Sequence, residues 1–97
     1  MPTNETGAGP LRVLEQIQTA ADARDTAGHF RDRMRVLCRD YGDLTRGAWQ
    51  PTPDRAAAVF TEHFALAIHE AREANLPDLA AALIAVRPSI IETAPRP

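Results

Sequence analysis

The feature that most constrains this fold is a run of five large apolar residues in the second quarter of the chain. They are spaced four, three, four and three positions apart and comprise Phe30, Met34, Leu37, Tyr41 and Leu44. Because an α-helix has about 3.6 residues per turn, side chains at these spacings lie on one side of it. The spacing therefore predicts a helix that buries one narrow face against neighbouring helices.

A cluster of helix-breaking residues ends this helix and begins the next. In "RGAWQPTP", residues 46–53, Gly47 can end the second helix and Pro51 opposes its continuation. Thr52 is suited to cap a third helix over about residues 53–75. The predicted inner face of that helix comprises Ala56, Phe60, Phe64, Ala67, Ala71 and Ala74.

Two further breaks are less sharply defined. Gly28 separates the second helix from a first one over about residues 10–24. One kinked helix through residues 10–44 is the alternative, because glycine costs only about 1 kcal/mol relative to alanine inside a helix. Pro77 can open a short fourth helix, which we expect Pro88 to stop.

These patterns predict an all-α fold, a small antiparallel bundle of three or four helices, because no segment alternates as a strand would. Residues 10–88 form the expected single helical domain. Residues 1–9 are polar and aperiodic and are expected to be a disordered N-terminal tail. Residues 89–97 are expected to be a C-terminal tail.

Composition adds limits on the class of protein. The chain has 97 residues, one cysteine (Cys38) and eleven basic residues, all arginine. One cysteine excludes an internal disulfide, and no apolar run is long enough to cross a membrane, so we expect a cytoplasmic protein without membrane contact. Abundant alanine and the absence of lysine favour a bacterial source. Cys38 borders the apolar run without a neighbouring base, which favours a packing role over a nucleophilic one.

The stretch "TEHFALAIHEARE" raises the question of a metal or acid/base site. His63 and His69 are six residues apart, whereas a helical zinc pair needs two ligands four apart on one face. We therefore interpret these side chains as surface residues and expect neither an enzyme nor a bound metal or cofactor. The alternative is a site built from His29, His63 and Glu70, which requires a particular register between the second and third helices.

Charge is distributed unevenly along the chain. Residues 24–39 contain five arginines and two aspartates, whereas residues 54–78 contain five carboxylates and two arginines. Three of the arginines are spaced four apart and form a continuous stripe on the second helix: Arg31, Arg35 and Arg39. Such a stripe can contact phosphates, remain solvated or pair with carboxylates of this or another chain.

Several apolar residues lie outside the predicted core faces. Val59 and Leu66 are displaced from the inner face of the third helix, and Val36 is displaced from the apolar run of the second. A surplus of apolar surface on a small bundle is typically buried against a partner. The alternative is that another helix of the same chain covers Val59 and Leu66.

Together these patterns favour a small non-enzymatic protein-binding or regulatory module. The expected partner is another protein or a second copy of this chain, in which case the protein is a homodimer. Val59, Leu66 and Val36 are the predicted protein interface, and Arg31, Arg35 and Arg39 the predicted contact to a charged partner or phosphate. The alternative function is a nucleic-acid-binding regulator that uses these arginines.

Overall fold

The computed structural model describes residues 8–92 and contains four helices within that part of the chain. They are α1 (Ala8–Arg24), α2 (His29–Arg46), α3 (Pro53–Glu73) and α4 (Pro77–Ile91). These residues contain no β-strand. The all-α prediction is therefore confirmed, with four helices where the sequence allowed three or four.

The helices form a closed ring in which each one packs on two others. α1 packs on α2 and α4, and α3 also packs on α2 and α4. The connections are residues 25–28, 47–52 and 74–76, and such short links join antiparallel neighbours. An ion pair of 2.7 Å between Arg24, at the end of α1, and Asp78, at the start of α4, shows that these two helices also run in opposite directions.

The core lies where the predicted apolar faces meet. All five residues of the apolar run on α2 are buried, as are Phe60, Phe64, Ala67 and Ala71 on α3. The ring of Phe60 contacts Tyr41 of α2 and Trp49 of the α2–α3 connection edge-on, with centroids 5.7 and 5.9 Å apart. Trp49 thus covers one end of the core.

Residues 10–44 form two helices, not one kinked helix. Gly28 has a φ of 94°, a left-handed conformation that favours glycine, and the chain turns there into α2. The predicted boundaries of the α2–α3 connection are also observed. Gly47 ends α2 with a φ of 79°, and the Thr52 hydroxyl accepts the Arg55 N–H at 3.1 Å.

The prediction that Pro88 stops the fourth helix is wrong. α4 continues through Pro88 to Ile91, so residues 89–91 belong to the helix and not to a tail. Pro88 removes only one backbone donor near the helix end, and the added turn buries Ile90 completely in the core. At the other terminus α1 begins at Ala8, inside the predicted tail, while residues 1–7 and 93–97 lie outside the described residues.

None of the four helices in residues 8–92 combines the length and the apolar character needed to cross a bilayer.

Candidate functional site

The three predicted interface residues lie on one side of the bundle. Arg33 of α2 and Glu70 of α3 form a two-point ion pair across the contact between these helices, with N–O distances of 2.9 and 3.2 Å. Val36 follows Arg33 by one helical turn, and Leu66 precedes Glu70 by one turn. Val59 lies two turns before Leu66. We call the surface formed by Arg33, Val36, Val59, Leu66 and Glu70 the α2/α3 face.

The apolar residues of the α2/α3 face are only partly covered by the chain itself. Val36 and Val59 are half-buried, and Leu66 is 37% exposed. Among the described residues, Leu66 and Ile84 are the two large apolar side chains that remain exposed. Val59 is thus partly covered within the chain, whereas Leu66 is exposed to solvent.

A cavity opens at the end of the α2/α3 face where α2 begins and α3 ends. It has a volume of about 430 Å³, and we call it the His29 cavity; its lining comprises Asp25, Ala27, His29, Phe30, His69, Glu70, Glu73 and Ala74. A smaller pocket of about 240 Å³ adjoins it and shares His29 and Glu70. Val36 lines this second pocket, so the two cavities lead towards the apolar part of the face.

The His29 cavity and the adjoining pocket carry excess negative charge. Four carboxylates and one guanidinium line them, which gives a net charge of −3 when the histidines are neutral; the charged residues are Asp25, Asp32, Arg33, Glu70 and Glu73. The hydrogen bond from Arg33 to Glu70 raises the pKa of the Arg33 side chain, and Glu62 adds to the effect. The single cation is therefore already paired.

The carboxylates around the cavity differ in their existing partners. Asp25 is 4% exposed and accepts the Arg31 N–H at 2.9 Å. Burial disfavours its ionised form, but the N–H groups of the α1–α2 connection and of the start of α2 outweigh burial and lower its pKa. Glu70 is held by Arg33, whereas Glu73 is exposed and has no ion pair with any described residue. Glu73 is thus the carboxylate that is available to a ligand.

Only two of the three residues of the alternative site, His29 and Glu70, line one cavity, and His63 does not. The histidine that joins them is His69. His63 is half-buried, and its Nδ1 has no hydrogen-bond partner among the described residues. Within residues 8–92 no three His, Cys, Asp or Glu side chains are grouped as a metal ion would require.

The sequence did not indicate that His69 lines a cavity, because its position predicted only a place on the solvent side of α3. His69 is indeed exposed, but Asp25 and Ala27 of the α1–α2 connection line the same cavity. The four-residue spacing of His69 and Glu73 put both side chains on one face. It could not show that His29 would face them.

The arginine stripe lies on the other side of α2, towards α1. Arg35 is 3.5 Å from carboxylate oxygens of both Asp22 and Asp32, and Arg39 is 3.3 Å from Asp40. Arg31 packs over Gly28, where an added Cβ would come within 2.9 Å of its Nη2. Carboxylates thus already neutralise part of the stripe, which therefore offers phosphates less charge than the sequence suggested.

Cys38 is half-buried on the same side of α2 as the arginine stripe. Burial raises the pKa of its thiol to about 12, and the charges of Glu15 and Asp22 act in the same direction. The thiol therefore stays protonated at neutral pH, which disfavours a nucleophilic role.

Comparison with known proteins provides no further guide to this site, because no family model, curated protein or solved structure matches the chain.

Proposed function

We propose that this protein is a non-enzymatic module that binds another protein through the α2/α3 face. The observation that carries the proposal is a set of apolar side chains that extends along one face from the His29 cavity: Val36 lines the adjoining pocket, Leu66 lies one turn from Glu70, and Val59 lies two turns further along α3. Leu66 is a large apolar side chain that is exposed to solvent. Glu70, one turn away on α3, lines both the His29 cavity and the adjoining pocket, so apolar and charged surface occur on the same face. Protein interfaces combine these elements as an apolar centre with a polar rim.

Leu66→Glu tests this proposal, and Ile84→Glu is its matched control. Both replace an exposed aliphatic residue on a helix with the same charged one, but Ile84 is on α4, away from the α2/α3 face. Each variant and the wild type are used to capture proteins from a lysate of the source organism. We expect a set of proteins that the wild type and Ile84→Glu retain and Leu66→Glu loses, because a buried unpaired carboxylate is costly.

Captured proteins are then expressed in pure form and titrated against the wild type and both variants by calorimetry. Direct binding that weakens by about tenfold or more only in Leu66→Glu would support the proposal. Circular dichroism checks that each variant keeps its helices. If every captured protein binds the wild type and both variants equally, the α2/α3 face is not the binding surface.

Self-association is a second candidate function, and α4 is the element that favours it. Residues 79–86 of this helix carry no charge, and its exposed side includes Ala81, Ile84 and Ala85. A helix that is apolar on all sides is normally buried. An uncharged surface can also meet its own copy without repulsion, whereas two copies of the acidic His29 cavity would repel each other if brought together.

Solution mass by light scattering tests this second candidate. A homodimer that uses α4 becomes a monomer in Ile84→Glu and remains a dimer in Leu66→Glu. A monomeric wild type at about 100 μM, well above the dissociation constant of a stable dimer, would remove the homodimer from consideration.

A further inference from the structure

We infer that the segment bound by the α2/α3 face is a basic amphipathic helix, one of whose Arg or Lys side chains enters the His29 cavity. This inference rests on the proposed function and adds the chemistry of the partner.

Charge complementarity favours a basic partner. The cavity and its adjoining pocket carry a net charge of −3, and Glu62 lies close enough to raise the pKa of Arg33 further. The one cation, Arg33, is held by Glu70. An acidic segment or a nucleic acid would be repelled by this net negative charge, whereas a Lys or Arg of a basic segment can pair with Glu73, which has no ion pair with any described residue.

The spacing along α3 fits an adjacent helix. Val59, Leu66 and Glu73 follow one another at seven-residue intervals and therefore lie in one line along α3. With a rise of about 1.5 Å per residue, the line is about 20 Å long, which matches roughly four turns of a partner helix. A helix lying along this line of α3 would cover Leu66 with apolar residues and bring a later turn to Glu73.

The His29 cavity suits a long basic side chain. Phe30 and Ala74 provide apolar lining, and Glu70 and Glu73 provide carboxylates. Lys and Arg side chains have an apolar stem and a charged end, so such a cavity satisfies both parts. Asp25 and Glu70 already have partners within the chain, which leaves Glu73 to receive the incoming charge.

A displayed peptide library tests the inference without knowledge of the natural partner. The peptides are helical, about 15 residues long, and spaced for an amphipathic helix. Positions on one side are varied among Leu, Ala and Ser, and positions on the flanks among Arg, Glu and Ser. Peptides are selected on the wild-type protein and counter-selected on Leu66→Glu. We expect Leu on the first side and Arg on the flanks to be enriched.

Individual peptides are then measured by fluorescence anisotropy. Glu73→Lys should weaken binding of an enriched peptide by about tenfold or more, because it replaces an attraction with a repulsion. Glu92→Lys changes charge equally at an exposed residue that follows α4 and should have little effect. Raising salt from about 50 to about 300 mM should also weaken binding, since ions screen the contacts.

The outcomes separate this inference from the proposed function. Enrichment of Glu or Ser at the flanking positions, or equal binding to wild type and Glu73→Lys, would overturn the basic-helix inference and leave protein binding intact. If no peptide is selected but a captured protein depends on Leu66 for binding, the basic-helix inference is again overturned and protein binding is retained. Failure to find any ligand that depends on Leu66, whether peptide or protein, would overturn both.

Discussion

At the residue scale, Asp25 joins the end of α1 to the start of α2 and also lines the His29 cavity. Its carboxylate accepts backbone N–H groups where Gly28 turns the chain, including that of Arg31. The sequence places a short acidic side chain shortly before α2, and such side chains are favoured where helices begin. It could not show that the residue would be almost fully buried, since burial depends on how α1 and α2 pack.

We therefore expect Asp25→Ala to lower the free energy of unfolding by about 1–3 kcal/mol, because several N–H groups lose their acceptor. Asp22→Ala is the control: Asp22 is exposed, and its pair with Arg35 should contribute about 1 kcal/mol or less. Urea denaturation at neutral pH measures both.

The same contribution should depend on pH. The pKa of Asp25 is lowered in the folded protein, so its stabilisation is complete above the unfolded-state pKa of about 3.9. It is lost as the pH falls through the lower folded-state pKa. The stability difference between wild type and Asp25→Ala should therefore shrink below about pH 4. An equal difference at neutral and acidic pH would contradict this role of the carboxylate.

At the scale of the element, the sequence predicted the helices whose apolar residues share one face. It did not predict that α4 continues through Pro88. The apolar run of α2 is buried as its spacing predicted, because one face of that helix meets the core. α4 continues past Pro88 because the burial of Ile90 stabilises the additional turn. Local propensity opposed that turn, and only the packed bundle shows why it forms.

If the last turn of α4 belongs to the core, Ile90→Ala should lower the free energy of unfolding by about 2–4 kcal/mol. Ile84→Ala removes the same atoms from the same helix, but Ile84 is 44% exposed, so the loss should be about 1 kcal/mol or less. Denaturant unfolding compares the two variants. Similar small losses would mean that the helix contributes nothing after Pro88.

At the scale of the whole molecule, the sequence could name the interface residues but not the surface that they form. Val36, Val59 and Leu66 are recognisable as apolar residues outside the core faces. Their placement along one face that leads to an acidic cavity depends on the register between α2 and α3, which the Arg33–Glu70 pair reveals only in the folded bundle. The arginines of α2 are also divided between two neighbouring helices, because Arg33 pairs with a carboxylate of α3 and Arg35 with a carboxylate of α1.

The central claim is that the α2/α3 face binds a protein partner, and calorimetric titration of one captured partner against wild type, Leu66→Glu and Ile84→Glu tests it most directly. We predict that the partner binds the wild type and Ile84→Glu with the same affinity and that Leu66→Glu weakens binding by about tenfold or more. Unchanged affinity in Leu66→Glu, or a loss confined to Ile84→Glu, would contradict the claim.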